Sequence, residues 1–130
     1  MDNKKRIRIV LVEDDEMLNS LYDEALSLMG FSVGIAKSGR EGLKMIEENE
    51  PDLVILDIVM PDGDGFFVLE KMRKNPKMKD IPVIMHTNLY SESDKEEALK
   101  LGAKEYVVKA QITPKQLAEI VKKNIKTQSR

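Results

Sequence analysis

The chain contains no cysteine, no tryptophan and a single histidine among its 130 residues. Without thiols there is neither a disulfide scaffold nor a thiolate metal site, and the lone His86 cannot by itself build an imidazole cage. A metal held by this chain would therefore need oxygen ligands. Long apolar runs are also missing. The opening MDNKKRIRIVLVEDD has a basic start, but carboxylates interrupt its apolar stretch too soon for a signal peptide or a membrane span. The expected location is the cytoplasm, with no membrane partner. An excess of one charge sign is missing as well: 21 Lys+Arg against 23 Asp+Glu leave a net charge of -2, so the whole-molecule field does not favour a polyanion. No direct DNA binding is expected. Lys4, Lys5, Arg6 and Arg8 and the lysines of the last helix read as solvated charges, and no reading-helix motif is visible.

What is present is a composition of 42% hydrophobic and 34% charged residues, that of a globular protein with enough apolar residues for a core. The length predicts a single domain with its core over about residues 6–126 and no output domain. Ile7 to Val12 is a β-branched run ending in Glu13, Asp14 and Asp15, which reads as a buried strand with acid at its end. From Glu16 the apolar residues Met17, Leu18, Leu21, Tyr22, Ala25, Leu26 and Met29 recur at helical spacing up to Gly30, a C′ residue. The alternation repeats with strands at Phe31–Ala36, Leu53–Leu56, Pro82–Met85 and Tyr106–Val108. Helices are predicted at Gly39–Glu48, Gly65–Lys74 and Glu92–Leu101, and Thr113-Pro114-Lys115-Gln116 opens a last one as a capping box with proline at N1. The tail from Lys126 to Arg130 is expected to fray.

Five strand–helix units with near-continuous apolar strands predict a doubly wound α/β fold, a five-stranded parallel sheet with helices on both faces. Periodicity alone does not separate the two usual strand orders, but five units favour the flavodoxin-like order 2-1-3-4-5. In that arrangement Glu13 and Asp14, Asp57, Thr87 and Lys109 stand at or just past the carboxyl ends of strands one, three, four and five. Those ends share one edge, where open α/β sheets bind ligands.

Carboxylates brought together repel unless one is protonated or a cation intervenes, and Mg²⁺, a hard ion with oxygen ligands, suits this set. Acid at a helix N-terminus is the ordinary alternative for Glu13 and Asp14, and the better account of Asp15. Asp57 ends the apolar Leu53-Val54-Ile55-Leu56, where a carboxylate is costly unless used or paired. As a nucleophile it could form an acyl phosphate. Asp62 and Asp64 fit turn roles instead. Lys109 offers an ammonium to phosphate, or is a solvated strand-end lysine; Thr87 offers a hydroxyl, or merely closes a strand. Each bland reading is comfortable alone; their coincidence at one edge is not.

These residues closely resemble the receiver domains of response regulators over nearly the whole chain: VEDD after strand one, LDIVMPDGDGF around strand three, IPVIMHT at strand four and ALKLGAKEYVVK leading into strand five. The resemblance implies that Asp57 accepts a phosphoryl group and that Glu13, Asp14, Asp57 and the Val59 backbone carbonyl hold Mg²⁺. It also implies that Thr87 and Lys109 contact the phosphoryl group, and that Tyr106 follows Thr87 as a switch. The implied partners are a sensor histidine kinase or phosphotransfer protein, and a downstream protein on the face of helix four, strand five and helix five. A stand-alone module would signal by docking or phosphorelay.

There are departures. Ala110 stands where the family usually has proline, Asn88 where it usually has Ala or Ser, and Val59 and Leu89 are apolar at positions that tune attack of water on the phosphoaspartate. The last two imply slow self-dephosphorylation, to be read as a phosphoryl half-life longer than that of a Val59→Asn, Leu89→Glu variant. A pseudo-receiver acting as a phosphorylation-independent docking module is the alternative. An aspartyl phosphatase would carry a second acid two residues after Asp57, where Val59 stands, and a flavin site would need a phosphate loop where this chain has Glu13-Asp14-Asp15.

Overall fold

The computed structural model describes residues 6–125; the expected fraying of Lys126 to Arg130 and the solvation of Lys4 and Lys5 fall outside them. The strands are β1 (Arg8–Val12), β2 (Ser32–Ala36), β3 (Leu53–Leu56), β4 (Val83–Thr87) and β5 (Glu105–Val108). They alternate with helices α1 (Glu16–Leu28), α2 (Gly39–Asn49), α3 (Gly65–Arg73), α4 (Glu92–Lys100) and α5 (Pro114–Asn124). All ladders are parallel and the order is β2-β1-β3-β4-β5, as expected.

The period of two along each strand sorts the core into two halves. Val10, Val12, Val54, Leu56, Val83 and Met85 face α2, α3 and α4, packing against Ile46, Val68, Leu69, Met72 and Ala98. Ile9, Leu11, Leu53, Ile55, Ile84 and Val107 face α1 and α5, packing against Tyr22, Leu26, Leu117 and Val121. Because both faces are covered, the strands carry no polar alternation. That is why they read as unbroken apolar runs.

Helix ends follow the side chains available. Asp15, Ser38, Asp64, Ser91 and Thr113 each accept a hydrogen bond from a first-turn N–H, and Thr113 with Gln116 completes the reciprocal capping box, with Pro114 behind it. Gly30 takes a φ of 91° after α1, the left-handed conformation expected of it. β4 runs on to Thr87 and β5 begins at Glu105, each longer than the apolar residues alone predicted, because ladder pairing with neighbours extends past the hydrophobic segment. A turn of 3₁₀ helix at Lys109–Gln111, not anticipated, carries Lys109. Among the described residues no helix is long and apolar enough to cross a membrane.

Candidate functional site

The parallel register brings strand ends together. Val12 pairs with Leu56, so Glu13 and Asp57 follow the last rung of their ladder, while Thr87, paired with Val108, closes β4 on the same edge. Extension beyond the strands is held by backbone bonds: Glu13 N–H donates to the Ala36 carbonyl at 2.9 Å and Asp57 N–H to that of Val12 at 3.1 Å.

Glu13 is 2% and Asp57 5% exposed, whereas Asp14 faces solvent. One oxygen from each lies within 4.8 Å of the others. The Lys109 ammonium donates to Asp57 Oδ2 at 2.7 Å. It also lies 2.5 Å from Glu13 Oε1, but off the axis of a directed hydrogen bond, so this buried oxygen accepts none. The other oxygens are used locally, Asp57 Oδ1 by the Ile58 N–H at 2.7 Å and Glu13 Oε2 by the Asp15 N–H at 3.0 Å. Burial raises the Glu13 carboxyl above its ordinary range, and Lys109 and the Asp15 N–H offset only part of that. For Lys109 burial pulls downward, but the hydrogen bond to Asp57 and the contact with Glu13 outweigh it and hold the ammonium above its usual value. Two buried carboxylates thus share one ammonium, with the solvent-facing Asp14 beside them.

The arrangement fits a hard divalent ion. The donors are all oxygens, Glu13 Oε1 lacks a hydrogen bond, and one negative charge more than the ammonium and a single counter-charge can balance remains. The β3–α3 loop carries a carbonyl without a partner. The Ile58, Pro61 and Asp62 carbonyls accept from Gly65, Gly39 and Arg40 respectively, while among the described residues the Val59 carbonyl accepts no hydrogen bond. Val59 as a whole is 63% exposed. Asp64 caps α3 and Asp62, at φ 51°, pairs with Arg40, so both serve the loop rather than the acidic cluster.

Thr87 is 1% exposed, and its Oγ1 accepts the Leu89 N–H at 3.1 Å. Tyr106 donates its hydroxyl hydrogen to the Leu89 carbonyl and packs edge-on against Tyr90 at 6.2 Å. The peptide groups flanking Leu89 therefore connect Thr87 to Tyr106. Sequence reasoning named both side chains and missed this link, since backbone groups leave no signature in residue type.

It also missed a polar layer beneath the edge. Asn19 on α1 donates to the Glu13 carbonyl at 2.7 Å, and His86, 1% exposed, meets the Tyr22 ring edge-on at 4.9 Å. The signal was available in two polar residues at apolar-face positions. Burial, and then the positive charge of Lys109, pull His86 from 6.5 down to about 4. Between those values the unfolded chain binds a proton that the folded chain refuses, so stability falls as pH falls. The expected loss is on the order of 3 kcal/mol across that window. Urea unfolding of the wild type and His86→Leu at pH 7.5 and 4.5 checks it, and equal pH dependence in the two proteins would refute the assignment.

Residues 9–122 match the family model described as response regulator receiver domain. The chain is similar to the probable transcriptional regulator ycf27 of Cyanidium caldarium, 38% identical over 115 residues, which are 88% of this chain and 45% of that protein. It is 40% identical over 118 residues to the same-named protein of Galdieria sulphuraria, covering 90% and 45%. Among solved structures, a response regulator receiver domain protein (CheY-like) from Methanospirillum hungatei JF-1 superposes with a TM-score of 0.86 at 31% identity, covering 93% of this chain and 94% of that one. The chain thus spans less than half the length of the curated relatives it matches, at 45%. Their names as transcriptional regulators stand against the expectation of a stand-alone module remote from DNA.

Proposed function

The chain belongs to the response-regulator receiver domain family, and from that premise we propose that it is switched by transfer of a phosphoryl group to Asp57. The donor is a histidine kinase or phosphotransfer protein, acting in the cytoplasm. The observation that carries the reading is the setting of Asp57: a buried carboxylate whose Oδ2 meets the Lys109 ammonium at 2.7 Å, within 4.8 Å of two further acids.

In the transfer, an Asp57 oxygen forms a bond to phosphorus as the bond to the donor breaks. That is phosphorus–nitrogen in a phosphohistidine, whose imidazole leaves and takes up a proton, or phosphorus–oxygen in an acyl phosphate, whose carboxylate leaves. Glu13, Asp14, Asp57 and the Val59 carbonyl would hold Mg²⁺, which when bound supplies positive charge to the phosphoryl oxygens. Lys109, held protonated by its carboxylate partners, transfers its contact from Asp57 to the new oxygens. The Thr87 hydroxyl, whose oxygen accepts the Leu89 N–H before transfer, turns away from that bond to donate its hydrogen to a phosphoryl oxygen. Because Tyr106 bonds to the carbonyl of the same Leu89, that exchange moves the β4–α4 loop and the aromatic together. The face of α4, β5 and α5 then presents a changed surface to a downstream protein.

Two readouts follow from this switch. A self-contained module would signal by docking or phosphorelay; the regulatory part of a longer transcriptional regulator would act on a DNA-directed output, and the curated relatives' names favour the second. A pseudo-receiver that docks without phosphorylation would have no use for Lys109 bridging two buried acids.

Intact mass after incubation with acetyl phosphate tests the reading. A phosphate-sized gain with Mg²⁺ and none with EDTA is expected. No gain in a folded protein that binds Mg²⁺ would leave the pseudo-receiver.

A further inference from the structure

β5 ends at Val108, and the backbone turns at once into the single 3₁₀ turn of Lys109–Gln111. N–H groups at the start of a helical turn find no carbonyl within it. That of Ala110 donates instead to the side chain of Asn88, at 3.0 Å to Oδ1, across 22 residues of sequence. Among the described residues and beyond the β4–β5 ladder, no other hydrogen bond joins the β4–α4 loop to this turn. Asn88 is exposed, so core packing does not hold it and its contribution runs through this bond. Its two ends sit beside the groups that matter: Asn88 follows Thr87, and Ala110 follows Lys109.

Lys109 needs such support. Its ammonium must reach Asp57 at 2.7 Å and Glu13 at 2.5 Å from a flexible four-carbon stem mounted on a short turn. Small displacements of a positioned charge cost rate steeply. We propose that Asn88 is a positioning residue for phosphoryl transfer, its side-chain carbonyl clamping the Lys109 turn to the Thr87 loop through the Ala110 N–H. This rests on the phosphoacceptor reading above. It also ties two unusual residues into one device, since an N–H at position 110 has a partner only because position 88 carries an acceptor.

The test uses Asn88→Leu, which keeps the volume and removes the acceptor, and Asn88→Ala, which removes both. Rates of phosphorylation by acetyl phosphate are read by intact mass, and exchange of the Ala110 amide by NMR. Both variants are expected to slow phosphorylation about five-fold, the change one hydrogen bond of ordinary worth supports. Ala110 exchange quickens while the ladder amides of Val107 and Val108 keep their rates. In an Ala110→Pro background, where no N–H exists, Asn88→Leu has no further effect.

The proposal is overturned if Asn88→Ala is faster than wild type while Asn88→Leu is unchanged, which would mean the residue only crowds the entrance. It is equally overturned by the same slowing in the proline background, or by wild-type rates with unaltered Ala110 exchange. Should Ala110→Pro not fold, slowed phosphorylation together with quickened exchange in the Asn88 pair supports the clamp, and either without the other sinks it. A wild type that takes up no phosphate would remove the phosphoacceptor reading, while Ala110 exchange would still decide whether the clamp exists.

Discussion

Asp57→Asn is expected to take up no phosphoryl group from acetyl phosphate in Mg²⁺, at any time at which the wild type is fully labelled, while remaining folded. Three carboxyl groups crowd the edge, so a neighbouring acid is the rival acceptor. Geometry argues for Asp57, because Lys109 directs a hydrogen bond to it at 2.7 Å and lies off-axis to Glu13, while Asp14 is solvated. An amide is not a competent nucleophile at this position, so loss is complete rather than partial.

Charge bookkeeping says that the substitution should spare stability. At an effective dielectric of about 20, the Asp57–Lys109 attraction across 2.7 Å is worth about 6 kcal/mol. Repulsion from the buried Glu13, within 4.8 Å, is worth at least about 3.5 kcal/mol on the same scale, and the solvent-screened Asp14 adds a smaller amount. Relief of the desolvation of a buried charge offsets much of the rest, and Lys109 keeps Glu13. In metal-free buffer the unfolding midpoint should therefore stay near that of the wild type or rise. A labelled Asp57→Asn protein would show another acceptor, and a collapse of the midpoint would show that the pairing with Lys109 outweighs the repulsion.

Gly39→Ala should be the most damaging small substitution near the site. A Cβ there would lie 1.9 Å from the Gly63 carbonyl oxygen and 2.5 Å from its carbon, backbone atoms with no rotamer to escape through. α2 begins where the β3–α3 loop docks, with Gly39 N–H on the Pro61 carbonyl at 3.2 Å and Arg40 N–H on that of Asp62 at 2.9 Å. The added methyl must push this loop away, breaking both bonds and moving the segment that carries the Val59 carbonyl. A loss of about 3 kcal/mol or more is expected for overpacking against backbone, with Mg²⁺ affinity down at least about ten-fold, the equivalent of one ligand contact. Gly30→Ala is the control. Its φ of 91° makes alanine strained, but no atom lies within 4 Å, so a cost of about 1 kcal/mol and unchanged Mg²⁺ binding are expected. Urea unfolding and calorimetric Mg²⁺ titration separate the two, and equal Mg²⁺ affinity in Gly39→Ala would show that the loop is not held by α2.

Much of this architecture was legible because each signal was local and repeated. Apolar strands of four or five residues, capped helices between them and glycine after α1 and α4 specify the βα alternation, and parallel winding with both faces covered follows from strands that never alternate. The acidic, threonine and lysine positions were readable for the same reason: each is polar at the end of an apolar run. Strand boundaries were less so. Glu105 and Thr87 join the ladders through backbone pairing with neighbours, which asks nothing of their side chains.

By itself, then, the chain's sequence determined the fold class, the strand order favoured, and which charged residues end the strands, since these depend on periodicity and on the cost of polar groups at apolar positions. Tertiary structure alone decided how those residues are paired. That Lys109 bonds to Asp57 while leaning on Glu13, that Leu89 connects Thr87 to Tyr106, that His86 is buried against Tyr22, and that Asn88 holds the Ala110 N–H are outcomes of distance between segments far apart in sequence. Hydrogen bonds act over about 3 Å and depend on angle, so residue type can nominate the partners but only the packed sheet edge can select them.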